Sequence, residues 1–230
     1  MKTKILLAAI FSSSLLAASA SPSDDVSSAV QKLSDAASYT WSATVVVPAD
    51  SRFKPGPSSG KTIKGDMTYV KMGGRMGTIE VYMKGTNAVL TSPDGGWQTL
   101  ADAQSDEQGP GRFIGAMVRN FKSPAAQAAE LVGECTDLTQ TNDAYAGDLA
   151  PAAAKKMLAS RRGNASVTNP SGTATFWVKD GVLTQFEIHV KGTVTYNNND
   201  MAVDRDTTVQ ISDVGATTIT PPDDAKKLMP

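Results

Sequence analysis

Apolar and polar residues alternate along this chain with two different periods, and the switches between them mark its elements. From Val26 to Ala37 the apolar positions Val26, Ala29, Val30, Leu33 and Ala37 recur at helical spacing. Ser23 suits a cap, and Asp24 and Asp25 suit the positive end of a helix dipole, so a short helix is predicted there. The period then drops to two. Tyr39, Trp41, Ala43, Val45 and Val47 fall on one face and Thr40, Ser42 and Thr44 on the other, a half-buried strand ended by Pro48. Arg52 to Lys61 holds Pro55, Gly56, Pro57, Ser58, Ser59 and Gly60 and reads as a loop. Strands are expected over Thr62 to Met72 and Thr78 to Lys84, joined through Gly73-Gly74-Arg75. A shorter pair, Ala88 to Thr91 and Trp97 to Leu100, flanks Pro93-Asp94-Gly95-Gly96.

The middle of the chain carries a different pattern. Ala101 to Gly111 is polar and turn-rich, after which Phe113, Met117, Val118 and Phe121 predict a short helix. Ser123-Pro124 starts another, with Ala125, Ala128, Ala129 and Val132 as its apolar stripe and Gly133 as its stop. A third helical stretch runs from Pro151 to Arg162. The last third is β: Thr173 to Lys179 and Val182 to Tyr196 flank Asp180-Gly181, a strong hairpin signal. Asn197 to Asp200 forms the next turn, Arg205 to Ser212 another strand, and Pro222 to Leu228 a terminal helical turn. The expected fold is α+β and mainly β: a curved antiparallel sheet, a half-barrel, with helices packed on its concave face.

Residues 1–20 change the picture of where this chain works. Lys2 and Lys4 precede a mostly apolar stretch from Ile5 to Ala18, and Ala18-Ser19-Ala20 supplies a small-residue cleavage pattern. Cleavage between Ala20 and Ser21 is expected, leaving 21–230 as a single domain. With 22 Lys and Arg against 23 Asp and Glu, the chain has no electrostatic footprint for nucleic acid. No transmembrane segment is expected after the signal. Cys135 is the single cysteine, which excludes an intramolecular disulfide and a thiolate zinc site.

The order of elements and the C-terminal third carry a family resemblance. Gly172-Thr-Ala-Thr-Phe-Trp-Val-Lys-Asp-Gly181 leads into Leu183-Thr-Gln-Phe-Glu-Ile-His-Val-Lys191. Then come Thr207-Thr-Val-Gln-Ile-Ser-Asp-Val-Gly215, Ile219 and Pro221-Pro222-Asp-Asp-Ala225. A Trp-Val-x-x-Gly hairpin, a long strand, and a strand ending in a Pro-x-x-Ala turn resemble the LolA-like and LppX-like superfamily, as does the N-terminal helix followed by a Trp-bearing strand. The resemblance implies a bacterial half-barrel, periplasmic or secreted, that carries a lipid or the acyl chain of a lipoprotein, with a membrane-anchored protein as acceptor. The alternative it implies is a sensor or protein-interaction module on the same fold without a ligand. It transfers no individual functional residue to this sequence.

Candidate chemistry is sparse. Met67, Met72, Met76 and Met83 cluster in one stretch, and methionine adapts to ligands of irregular shape. Trp41, Met67, Tyr69, Met72 and Met83 are therefore the expected ligand-binding residues, if their strand faces line the concave side. Ordinary core packing is the simpler account of the methionines, and a thioether copper site at Met72 and Met76 has no other support. The loop from Arg52 to Lys61 and the central helices are candidates for a lid. His189 shares a polar strand face with Gln185, Glu187 and Lys191 and reads as a solvated histidine rather than a catalytic base. Cys135, beside Glu134, reads as an unreactive small residue. Asp200, Asp204 and Asp206 offer oxygen ligands, yet the stretch lacks the glycine and terminal glutamate of a calcium loop. Neither an enzyme, nor a cofactor, nor a metal site is expected.

Overall fold

A computed structural model describes residues 21–51, 54–74, 77–92, 95–105, 111–159 and 165–229. The expected signal segment and Met76 lie outside them. The chain opens with helix α1 (Pro22–Asp35), whose Val26, Ala29, Val30 and Leu33 are buried. Its cap is Ser21 rather than Ser23. The Ser21 side chain accepts from the Asp24 backbone N–H while the Asp24 carboxylate accepts from the Ser21 backbone N–H, a reciprocal capping box with Pro22 in the first turn.

Six strands follow: β1 (Ser38–Val46), β2 (Ser58–Ile63), β3 (Thr68–Gly74), β4 (Gly77–Lys84), β5 (Asn87–Thr91) and β6 (Trp97–Thr99). Helices α2 (Leu100–Ser105), α3 (Gly111–Arg119) and α4 (Pro124–Glu134) come next. The chain then forms β7 (Cys135–Thr141), β8 (Ala144–Leu149), helix α5 (Pro151–Ala159), β9 (Ser166–Lys179), β10 (Val182–Tyr196), β11 (Asn199–Ser212) and helix α6 (Asp223–Leu228). The eleven described strands make one antiparallel sheet in the order β6-β5-β4-β3-β2-β1-β11-β10-β9-β8-β7.

That order is a meander interrupted once. β1 to β6 step outward to one edge, β7 to β11 step inward from the other, and β1 pairs β11 in the middle. The segment between the edges, α2 to α4, must therefore cross the face of the sheet. Laid flat, eleven strands would span roughly 48 Å. Yet Leu90 of β5, Tyr145 of β8 and residues of α1, α3 and α4 belong to one buried cluster. The sheet wraps around its helices as a half-barrel. α1 packs on α4 and β10, and α5 on β9 and β10, while α6 lies against the opposite face at β5 and β6.

Several expectations change. Ser58 to Lys61 is not loop but most of β2, paired to β1 and β3. Thr62 to Met72 is not one strand, because Gly65 at φ 72° turns the chain between β2 and β3. Gly133 does not stop α4, which runs on to Glu134 and passes directly into β7. The hairpin β7–β8 lacks a sequence signal: β7 is an edge strand with mostly exposed residues and a register shift between Thr136 and Thr139, so no apolar alternation is required of it. Similarly, β9 and β11 begin earlier than their alternation does. Their outer legs pair with β10 and bury little: Val167 packs beside Val194, Met201 and Val203 are half-buried, and the residues between are mostly exposed, which weakens the pattern without removing the hydrogen bonds. The Asp180-Gly181 hairpin forms as expected, both residues at positive φ.

Candidate functional site

In an antiparallel sheet, directly paired residues share a face, so register assigns each side chain a side. One row across the concave face is Tyr39, Thr62, Thr68, Met83 and Ala88. The next is Trp41, Gly60, Val70, Val81 and Leu90, and a third is Ala43, Ser58, Met72 and Ile79. Above the first row lies the joint between α3 and α4. Between them is a partly open cleft of about 540 Å³, within the usual range of small-molecule sites. Tyr39, Thr62, Thr68 and Met83 line it from the sheet. Val118, Phe121, Ser123 and Ala125 line it from the helical side, and Lys64 and Asp66 come from the β2–β3 turn.

The expected ligand-binding set divides between the two faces. Trp41, Met72 and Met83 are on the concave side, with Met83 in the cleft wall. Trp41 is buried one row away, its ring 6.4 Å from that of Phe121. It lies across β2 at Gly60, where a Cβ would stand only 2.3 Å from the indole Cζ2. Met67 and Tyr69 face the other way. Tyr69 pairs Tyr82, and with Met67, Val89, Trp97, Ile219 and Met229 they form a second cluster around Ala225 of α6. The Tyr69 and Tyr82 rings are 4.9 Å apart, and those of Tyr82 and Trp97 5.4 Å. Burial is the main cause, with the Glu80 carboxylate second, of both phenols titrating above the usual tyrosine range. Thr68, not Tyr69, is the neighbour of Met83, so these five residues cannot form one wall.

Sequence reasoning placed Tyr39 on the same face as Trp41 and Phe121 on a helical stripe, but nothing in the pattern brought them to one cleft. Thr62 and Thr68 were invisible, since a lone threonine in a strand carries no signal of what it faces.

The remaining candidates lie elsewhere. His189 is on the convex polar face, Nδ1 2.6 Å from Asp206 and Nε2 3.5 Å from Asp204. Both ring nitrogens thus face carboxylates, and Asp200 accepts from Thr195 at 2.6 Å. Among the described residues no cluster of His, Cys, Asp or Glu is arranged to hold a metal ion. Cys135 is half-buried where α4 becomes β7. Burial first, then the Asp148 and Glu134 carboxylates, push its thiol up to about 11. At pH 8 roughly one such thiol in a thousand is ionised. Folded protein should therefore react with a disulfide reagent on the order of a hundredfold slower than unfolded protein, and faster as pH rises toward that value. Equal rates in the two states would contradict this placement.

No protein-family model matches the sequence, and comparison with curated proteins gives no match. Solved structures do match. The Mycobacterium tuberculosis lipoprotein LppX aligns with a TM-score of 0.50 at 11% identity, over 86% of this chain and 97% of its own. LprF from Mycobacterium bovis aligns with a TM-score of 0.51 at 13% identity, over 89% of this chain and 97% of its own. At such identities the likeness establishes the fold, an LppX-like half-barrel. Among the described residues no helix is long and apolar enough to cross a membrane.

Proposed function

We propose that this protein is an exported carrier that shelters the hydrocarbon of a lipid, or of a lipoprotein's acyl chain, between the concave face of its sheet and the α3–α4 joint. The cleft itself carries this reading: Met83 on the sheet and Val118, Phe121 and Ala125 on the helical segment that crosses it form the apolar part of a lining that also holds Tyr39, Thr62, Thr68 and Ser123. Burying hydrocarbon there would contribute about 0.8 kcal/mol per methylene. The fold shared with a lipoprotein and with LprF supports the reading by analogy, and the apolar leader of residues 1–20 supports export to the periplasm or beyond. Release would pass to an acceptor at a membrane.

The reading is non-catalytic. His189 sits on the far face between two carboxylates, and the Cys135 thiol is held in its protonated form. The candidate lid narrows to the α3–α4 joint, because Ser58 to Lys61 is part of the sheet. A second reading, an interaction module without a ligand, draws on the face beneath β9 and β10, where Phe176 and Phe186 are fully buried and fill the space themselves.

The test is native mass spectrometry of protein purified without detergent from an exporting host, followed by organic extraction. Acyl lipid at close to one molecule per chain is the expected result. A clean apo mass, together with no uptake of fluorescent acyl probes, would discard the carrier reading and leave the interaction module.

A further inference from the structure

Helix α3 is held in one rotation by its small residues. A Cβ at Gly111 would overlap the Ala103 carbonyl oxygen, and one at Gly115 the Gln104 side-chain amide, so α2 packs directly on that side. Ile114 and Val118 are buried on the adjoining side. Phe113, Ala116 and Asn120, spaced by three and four residues, are left on the outward face. Phe113 is 58% exposed, more than any other aromatic side chain among the described residues. Arg112 and Arg119, two helical turns apart, border it on one side and half-buried Met117 on the other. α3 carries no acidic residue, and among the described residues neither guanidinium pairs with a carboxylate, whereas neighbouring Lys122 pairs with Glu130. Arg112 stands in the first turn, where a cation opposes the helix dipole. Folding thus gives neither the exposed ring nor the two arginines a role.

The chemistry of this face restricts its partner. The chain as a whole has 22 Lys and Arg against 23 Asp and Glu, so any attraction for an anionic surface must be local. A guanidinium forks onto phosphate oxygens, and an aromatic ring between cations suits the boundary where headgroups give way to hydrocarbon. An anionic membrane offers both at once. Other open surfaces offer neither: the edge strand β7 is blunted by its register shift and by Asp137 at φ 52°, and β6 is covered by α6. We infer that α3 docks the protein on an anionic membrane surface, with Arg112 and Arg119 meeting lipid phosphates and Phe113 entering the hydrocarbon boundary. The inference goes beyond the carrier reading and needs no ligand in the cleft. Because Val118, on the far side of α3, lines the cleft, docking would bring the helical wall of the cleft to the membrane.

The experiment pellets protein purified from an exporting host with vesicles of phosphatidylcholine alone and of equal parts phosphatidylcholine and phosphatidylglycerol. Two arginines should give the anionic vesicles about a 25-fold advantage, about fivefold each, shrinking as salt rises. Arg112→Gln and Arg119→Gln should each remove about fivefold of it. Phe113→Ala should weaken binding to the anionic vesicles about tenfold. None of the three side chains is in the core or the cleft wall, so the variants should keep the wild-type denaturation midpoint and the wild-type uptake of a soluble fluorescent fatty acid. Should one fail to fold, Phe113→Trp decides: brominated phosphatidylglycerol should quench its fluorescence more than that of the wild type. Equal pelleting with both vesicles, or an anionic preference that the Arg112→Gln/Arg119→Gln double variant retains, would overturn the inference while the carrier reading stands. Pelleting with neither vesicle would also overturn it and leave an acidic protein surface as the occupant of this face. Absent fatty-acid uptake by a wild type that prefers anionic vesicles would support the docking face and remove the carrier reading alone.

Discussion

Gly60→Ala should lower the stability of the folded protein by about 3 kcal/mol. The added Cβ would stand 2.3 Å from Trp41 Cζ2, 2.5 Å from its Cε2 and 2.5 Å from the Tyr69 carbonyl oxygen. The indole is buried against Phe121 and has little room to retreat, and the Tyr69 oxygen belongs to the paired backbone of β3. Close-packed interiors relieve such overlaps only by shifting backbone or leaving preferred rotamers. Gly133→Ala is the matching control. Nothing lies within 4 Å of its added methyl and the residue is helical, so stability should rise by about 0.5–1 kcal/mol. Urea denaturation of both variants checks the pair through their midpoints. A Gly60→Ala midpoint within error of the wild type would mean that Trp41 does not lie across β2.

Phe186→Ala should lower stability by about 3–5 kcal/mol. Phe186 and its cross-strand partner Phe176 are both fully buried, in a row that runs through Ala43, Val209, Phe186, Phe176 and Tyr145. This row crosses the β1–β11 junction, where the two halves of the sheet meet. Truncating the ring removes its contacts and leaves a void that paired strands on either side cannot collapse to fill. Phe113→Ala on α3 provides the contrast, since that ring is 58% exposed and its loss should fall within about 0.5 kcal/mol of zero. A comparable loss at both positions would place the core elsewhere.

The two positions also bear on the cleft. Phe186 belongs to the part of the concave face that side chains fill, whereas Gly60 lies one row from the wall of Tyr39, Thr62, Thr68 and Met83. On the proposed carrier reading, β1 to β4 line the cleft, whereas the face beneath β9 and β10 is filled by its own side chains. Substitutions that fill the cleft should reduce lipid uptake without the stability loss expected at Phe186.

Much of the architecture was legible in the chain. Alternation in Tyr39 to Val47 and in Val182 to Val194 names strands, and the structure buries Tyr39 and Trp41 of the first and Phe186, Val190 and Val194 of the second, while the irregularity between Leu183 and Gln185 brings Leu183 rather than Thr184 into the core. The Asp180-Gly181 pair marks its hairpin, and Ser123-Pro124 its helix start, because each depends on local backbone chemistry. Local signals also misled. Gly60 reads as a breaker inside a Ser- and Gly-rich run, yet it is a strand residue kept free of a side chain by a tryptophan on the neighbouring strand. β7 carries no alternation because it is an edge strand with little to bury.

Local residue patterns thus determined which segments become helix or strand, and which of their faces are apolar. Which apolar faces meet was decided by pairing over long separations in sequence. The turn at Gly65 and the register Thr68↔Met83 send Tyr69 and Met67 to the convex side, so the methionine-rich stretch is shared between two clusters. Tyr39 and Thr62 gain their common position only because β1 and β2 pair in one register. A shift of a single residue would turn every side chain of a strand to the opposite face. Periodicity within one strand records that two faces differ, but not which of them its neighbours will enclose.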